Sequence, residues 1–534
     1  MKYDYLIIGA GVSGLSSALL LARFGFKVAV LEQAPRPAPL IEGFVRNNVY
    51  FETGFHYAGG LEDGGVLDFN LHLLGIADHL QKVPFDLKAY DTAVQPESGF
   101  NFSFPQGYEA LGDALRERFP ACRQALSEYF ARIQQVVRKL PYYCFQAPGE
   151  PGESSSSGLS LLHEQNLAQV LDELAISGEL RTLLQIHCLL HGSLPSEVPF
   201  AIHAGVVDGY YRSAHTFKGG GRALVGALVT VLKQCGVDLF CRHRVEEIEL
   251  SAAGALAGVR CTNGVKLQAS GCIATLHPQA MLKLLPASVF RPVYRRRLAA
   301  LAESPGAEIV FFRCERQRGS TLGVRCERQR GSTLGVRCER QRGSTPGVSS
   351  LPVHNFQGRN FFFLPGSEKA MLDLELPLSE RLLYLNFAGL AGSGASDNDW
   401  EGGVTAILPA PYYEPGNKVS TTLSYAERKE QTGELVRKRI IELLPELGSR
   451  LEVECVATGK TLQRINASAQ GSLYGVKHMV GQFNPSAKTR LAGLFLAGQA
   501  TAVPGLLGAI TSALIAVGGI VGHDQIEALR RDVI

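Results

Sequence analysis

Residues 9–14, Gly9-Ala10-Gly11-Val12-Ser13-Gly14, space three glycines so that main-chain amides can grip a diphosphate. Gly9 permits a tight turn. Gly11 leaves no side chain between backbone and phosphates, and Gly14 lets a helix pack closely on a strand. The free N–H groups and positive end of that helix would face the anion. Glu32 follows at the distance where a carboxylate accepts hydrogen bonds from adenosine ribose hydroxyls. Its charge opposes a 2′-phosphate, which argues against NADP. The implied chemistry is that of a bound dinucleotide, and this motif alone does not separate FAD from NAD.

The surrounding elements suit that task. The apolar run at 3–8 predicts a strand, 15–24 a helix, and KVAVLE a second strand ending at Glu32, together a β-α-β unit. Near the other end, residues 493–509 read as a strand closing at Gly498, a loop, and an apolar helix starting near Gly508-Ala509. Gln499 can reach ribityl or phosphate oxygens, and a helix start can stabilise negative charge on a reduced flavin ring. An NAD dehydrogenase has no use for this returning element, so the tail selects FAD. Gln33 and Arg36, just past Glu32, complete the cofactor set on this side.

Between these ends the text alternates. A helical block is predicted over 159–190. The triple glycine 219–221 precedes a helix and a strand over 237–250, and Asn263-Gly264 predicts a hairpin turn. Strands are expected at 360–366 and 382–389, and a helix at 425–444. The Pro, Gly and Ser rich stretch 146–158 predicts a mobile surface loop. Residues 313–348 are three tandem copies of a dodecapeptide, RCERQRGSTLGV twice and RCERQRGSTPGV once. Poor in apolar residues, the repeat predicts a disordered loop; an Arg-rich patch for an anionic surface is the alternative.

The chain has 534 residues, 46% hydrophobic and 19% charged, with a net charge of +3. It exceeds the size of one compact core, so two interleaved domains are expected. With a low charge, and Lys and Arg scattered outside the repeat, nothing suggests a nucleic-acid partner. The 11 Cys include no CxxC pair and no Cys/His group with zinc spacing, which predicts free thiols and no metal. Asp4 interrupts the apolar start, so an export signal is not expected. The nearly uncharged stretch 503–522 reads as a buried helix rather than a membrane span, given its glycines and the Thr511-Ser512 pair.

Several segments carry a family resemblance: GAGVSGL with Glu32, FETGFHYAGG (51–60), FPQGYEALGDALRERFP (104–120), FKGGGRALVGAL (217–228) and GLFLAGQATAVPGLLGA (493–509). The chain resembles the phytoene desaturase-like flavoproteins, and within them the retinol saturase and carotenoid isomerase branch. The resemblance implies an α/β fold: a Rossmann-like FAD-binding domain of glutathione-reductase type, discontinuous over 1–80, 205–285 and 455–534. An α+β substrate domain over 81–204 and 286–454 is inserted into it. It also places Val245 near the adenine and the segment with His56 and Tyr57 at the flavin. His56 is then a candidate proton donor, since imidazole titrates near neutrality; the alternative is that His56 and Tyr57 only shape the wall. Tyr474 and His478 border the expected substrate mouth. Glu52 is given no role beyond a capping or surface carboxylate. Where the family carries Gly-Gly after the acidic residue, this chain has Ala38-Pro39; Pro39 lacks an N–H and its φ is fixed, which predicts a weaker hold on FAD.

The function implied is an FAD-dependent oxidoreductase acting on C=C bonds of an apolar polyene by saturation, desaturation or isomerisation, with an electron partner the sequence does not name. An amine-oxidase-like enzyme for a polar substrate and a non-catalytic flavin-fold lipid-binding protein are the rival readings. A cytoplasmic location is expected. Because a polyene is drawn from lipid, the resemblance admits peripheral contact at the inner face of the membrane, although no lipid anchor or basic amphipathic helix marks one.

Overall fold

The computed structural model describes residues 2–143, 165–315, 356–367, 370–387, 402–411, 423–467 and 470–533. The chain builds two seven-stranded sheets. The first holds a parallel core of Lys266–Ala274, Lys2–Ile8, Val28–Leu31 and Asp238–Phe240, with Leu494–Leu496 also parallel on the end of Lys266–Ala274. Its other flank is antiparallel, formed by Val245–Leu250 and Leu256–Cys261. Strand Lys2–Ile8 is central and apolar because it is covered on both faces: Ile7 packs with the helices, Leu6 and Ile8 with the meander side. This is the expected Rossmann-like sheet, assembled from the head, middle and tail of the chain.

The helix Val12–Arg23 covers one face and is buried along nearly its whole length. Its largest partner is the helix Gly505–Val521, which is apolar because it too is buried. Among the described residues no single helix is long and apolar enough to cross a membrane; Gly505–Val521 and His523–Arg531 pass such a test only as a pair bent by 120°.

The second sheet runs Leu451–Ala457, Gly306–Cys314, Gly402–Ala410, Leu383–Asn386, Asn360–Phe363, Asp91–Gln95, Phe100–Phe104. All pairs are antiparallel except Asn360–Phe363 with Asp91–Gln95. One face packs on the helix Tyr425–Leu443 through Val436 and Ile440. The other faces the helices Arg123–Val137 and Phe200–Arg212. Alternation along each strand therefore sends odd and even positions into two different cores.

Several sequence expectations shift. The single strand expected over 237–250 is two, Asp238–Phe240 and Val245–Leu250, parted by a turn with Arg242 at φ 60°. The expected joins at 204/205 and 454/455 fall inside the helix Phe200–Arg212 and the strand Leu451–Ala457. The repeat starts in regular structure: Arg313 and Cys314 end the strand Gly306–Cys314, and Arg313 pairs with Glu454 at 3.0 Å and with Glu452. The remainder of the repeat from 316, and the loop expected at 146–158, lie outside the described residues. The helix Gly505–Val521 starts three residues before the expected Gly508, because Pro504 serves as its N-cap. A Pro sits there without cost, since the first N–H groups of a helix have no partner in any case.

Candidate functional site

The turn at residues 9–14 is set by close packing. Gly9 adopts φ 103°, and a Cβ on Gly14 would lie 2.0 Å from the Gly9 carbonyl oxygen, so neither position takes a side chain. Gly11 differs: its φ is −71°, and a Cβ there meets nothing within 4 Å. The helix that starts after Gly11 has no side-chain cap and no acidic residue in its first turn. Open space, uncapped amides and a helix N-terminus together make an anion cradle, which fits a diphosphate.

Glu32, 9% exposed, braces this cradle. Its Oε2 accepts the Ala10 N–H at 2.8 Å and its Oε1 the Ala34 N–H at 2.8 Å. Each oxygen keeps a further lone pair for a ribose hydroxyl. The chain returns past it: His243 N–H donates to the Glu32 carbonyl at 2.8 Å, and Arg242 N–H to that of Ala34 at 3.0 Å. Val245 follows directly and packs in one apolar cluster with Ile8 and Leu31. Gln33 is exposed, and Arg36 is turned onto Glu42 Oε2 at 3.0 Å.

Ala38 donates its N–H to the Ala10 carbonyl at 2.9 Å, closing the loop over the motif. It does so at φ 41°, in the left-handed region that disfavours a Cβ. Ala38→Gly is expected to raise stability by about 1 kcal/mol, read as a higher urea midpoint at unchanged slope. An unchanged or lowered midpoint would show that the strain is not there.

The tail docks on the same motif through one hydroxyl. Ser512 Oγ accepts the Gly498 N–H at 2.8 Å, lies 2.7 Å from Ser13 Oγ, and donates to the Ala509 carbonyl at 2.7 Å. With its own proton on Ala509, it takes the proton of Ser13. Gly498, Ala509, Ser13 and the first helix are thereby tied together. A side chain at Gly508 would strike the Val503 carbonyl at 1.8 Å. The Gln499 carbonyl accepts from His478 Nε2 at 2.7 Å, and Tyr474 N–H donates to Ser304 Oγ at 2.9 Å.

Of the two readings of Glu52, capping or surface carboxylate, the structure bears out the first. It is 4% exposed and caps the helix Gly220–Gln234, with Oε2 accepting Gly221 N–H at 3.2 Å and Tyr50 OH at 3.1 Å. A Cβ on Gly220 would fall 1.5 Å from its Oε1, the reason for the glycines there. Burial pushes its carboxyl up to about 8, against the lowering pull of those bonds and of Arg222. The folded state thus holds a proton that the unfolded chain releases above 4.5, so this stability is full below 4.5 and is lost as pH rises through 8. Glu52→Gln is expected to flatten the fall of Tm between pH 5 and 9 and to exceed the parent at pH 9. Glu308, pushed up to about 7 by burial, leaves a residual slope of the same sign. Parallel curves for variant and parent would refute the assignment.

His56 and Tyr57 lie on the segment that follows. Burial drives His56 down to about 4, partly offset by hydrogen bonding to Asn386, so it is a neutral imidazole at pH 7 and does not titrate near neutrality as expected. Tyr57 is buried and its OH donates to Asp91 Oδ2 at 2.9 Å. Asp91 is fully buried and also receives His187 Nε2 at 2.9 Å and Asn360 Nδ2 at 2.8 Å. Asn360 Oδ1 accepts from Tyr384 OH at 3.1 Å and Asn386 Nδ2 at 2.7 Å. Asp91, Asn360 and Asn386 stand opposite one another on adjacent strands, a polar row across the second sheet. Sequence reasoning missed this row. Its only trace was a polar residue opening each of the strands DTAVQ and NFFF.

Cys188, His191 and His203 also converge, buried, with possible ligand atoms within 4.8 Å of one another, a grouping that spacing did not disclose. Their nitrogens are engaged: Ser193 N–H donates to His191 Nδ1 at 3.4 Å, His191 Nε2 lies 3.3 Å from His203 Nδ1, and His203 Nε2 3.3 Å from Tyr129 OH. Burial holds the Cys188 thiol well above its usual range.

Comparison with known proteins gives the family and the fold. Rat all-trans-retinol 13,14-reductase is 25% identical over 568 residues, covering 99% of this chain and 87% of the relative. Carrot chloroplastic prolycopene isomerase is 22% identical over 287 residues, covering 51% and 46%. A crystal structure of an oxidoreductase from Methanosarcina mazei superposes with a TM-score of 0.60 at 15% identity, covering 96% and 99%, which shows the shared fold. The profile of the flavin containing amine oxidoreductases matches residues 12–355, well over half of the chain. That match begins inside the cradle at Val12, and the tail clamp closes on the same helix, so the chain belongs to the flavin containing amine oxidoreductase family as an FAD-dependent oxidoreductase.

Proposed function

We propose that this oxidoreductase acts on a C=C bond of an apolar polyene, retinoid- or carotenoid-like, by saturation, desaturation or isomerisation. The observation that carries the reading is the similarity to a retinol reductase along 99% of the chain. The prolycopene isomerase similarity supports the same bond class. Bound FAD supplies a two-electron hydride centre. The protein's part is to hold and orient. Amides of residues 11–14 grip the diphosphate, while that of Ala10 is held by Glu32; Glu32 takes the ribose hydroxyls, and Gln33, Arg36 and Val245 border the adenosine end. Gly498, Gln499, Gly508 and Ala509 border the ring end. Neutral His56 forms wall, and Tyr57 is held in place by Asp91. The domain that carries substrate is built on the second sheet. The reading includes an electron partner of unnamed kind and peripheral contact, from the cytoplasmic side, with the lipid that stores the polyene.

The test uses the full chain. The purified protein is expected to be yellow. Reduced anaerobically with dithionite and mixed with all-trans-retinol or a carotenoid in detergent, it is expected to regain flavin absorbance while the polyene loses a conjugated double bond, or to change the cis/trans composition. No change with either polyene, together with bleaching of the oxidised flavin by a primary amine, would hand the site to the amine-oxidase reading. A preparation that stays colourless after added FAD would remove the enzyme reading altogether.

A further inference from the structure

The polar row across the second sheet poses a charge problem. Asp91 is fully buried, and three side chains reach its oxygens: Tyr57, His187 and Asn360. Asn360 has no proton to give up, so only Tyr57 and His187 carry one that can move. A buried carboxylate without a cation is costly, and His187, also fully buried and 2.9 Å away, is the partner that can neutralise it. At that distance His187 Nε2 and Asp91 Oδ2 are placed to share a proton. His187 Nδ1 is buried with no hydrogen-bond partner, so the ring, stacked on Tyr210, is hydrogen-bonded from the Asp91 side alone. Asp91 is held from the far side as well, by the Asn360 amide that Tyr384 and Asn386 in turn hydrogen-bond. The hydroxyl of Tyr57 sits on the same Asp91 oxygen as His187, one residue from His56.

Addition of hydrogen across a C=C bond needs one proton besides the hydride. His56, neutral at pH 7, is a poor source, whereas the Tyr57 hydroxyl carries a proton and is joined to Asp91 Oδ2 at 2.9 Å, from which that proton can be replaced. We propose that Asp91 and His187 form a buried proton store and that Tyr57 passes its proton to or from the substrate carbon. This rests on the C=C reading above. For saturation, the Tyr57 Oη–H bond breaks and a C–H bond forms at one alkene carbon, while the other receives hydride, and with it both electrons, from reduced flavin. The phenolate recovers a proton from the Asp91–His187 pair, which is refilled from solvent. Desaturation runs the same steps backwards. Asp91 and His187 are positioning and proton-holding residues, acting through Tyr57.

Two measurements on the full-length protein test it. First, in 15N-histidine-labelled protein, His187 is expected to show a strongly downfield Nε2–H proton, assigned by its loss in His187→Gln. Asp91→Asn should shift it upfield. A His187 signal unmoved by Asp91→Asn overturns the proposal whatever the activity. Second, dithionite-reduced holoenzyme is mixed with all-trans-retinol in H2O and D2O. Tyr57→Phe and Asp91→Asn are expected to bind FAD and accept dithionite electrons like the parent, yet to reoxidise at least about a hundredfold more slowly, with a larger solvent isotope effect. Reoxidation at the parent rate, or slowing with an unchanged isotope effect, overturns the proposal. If Asp91→Asn does not fold, Tyr57→Phe, which removes the other donor to the same Asp91 oxygen, should shift the His187 signal and carries both readings, and His187→Gln repeats the reoxidation test. A parent that no polyene reoxidises fails the C=C reading, while the histidine signal still decides whether the proton is shared.

Discussion

Gly11→Asp is expected to yield a folded protein that has lost its flavin. The position tolerates a side chain, with φ −71° and no atom within 4 Å of the added Cβ, so the change adds no steric strain. It places a carboxylate where the diphosphate is to sit. At an effective dielectric of protein surfaces, a charge pair about 4 Å apart costs about 4 kcal/mol, on the order of a thousandfold in Kd. The expected result is a colourless preparation with the parent's circular dichroism, whose flavin fluorescence is not quenched by titration at micromolar FAD. Gly14→Ala is the contrasting variant. Its Cβ would lie 2.0 Å from the Gly9 carbonyl oxygen, so the helix must move off the strand, and overpacking of that kind costs about 3 kcal/mol. There, loss of flavin should come with a lowered Tm. If Gly11→Asp unfolds the protein or keeps its colour, residues 9–14 do not form the cradle described.

Ser512→Ala is the second large effect. Removing one oxygen strands two donors at once, the Gly498 N–H and the Ser13 hydroxyl, at a site where Ser512 is fully buried and Ser13 is 6% exposed. Each unpaired buried group costs roughly 1–3 kcal/mol, so about 2–6 kcal/mol in total. Because Ser13 lies in the first motif and Gly498 at the tail strand, the loss should be felt at both ends of the cofactor. Expected are a lower Tm and faster release of FAD, followed as the rise of free-flavin fluorescence on dilution. Ser512→Thr, which keeps the oxygen, separates the hydrogen bonds from packing: it should retain FAD better than the alanine variant. Equal release from the two variants would mean that the tail is held by its apolar face alone, through Ile510, Leu514 and Val517 against the first helix.

Much of this was readable from the chain because it depends on local rules. Three glycines at fixed offsets, an apolar strand before them and an acid after the next strand define a turn within some thirty residues, and the turn folds as predicted. The hairpin at Asn263-Gly264 and the helix at Tyr425–Leu443 follow likewise from turn and capping chemistry: Ser424 and Glu427 form a reciprocal cap on the latter. The return of the tail could be anticipated from its Gly-rich text and its family likeness. Tertiary structure alone decided what depends on register and burial. Asp91, Asn360 and Asn386 are hundreds of positions apart in part, and only strand pairing sets them side by side. The same holds for Ser13 and Ser512, 499 residues apart. The proton state of His56 and of Glu52 was likewise out of reach, because residue type sets an ordinary pKa whereas removal from water moves it, down to about 4 for the one and up to about 8 for the other.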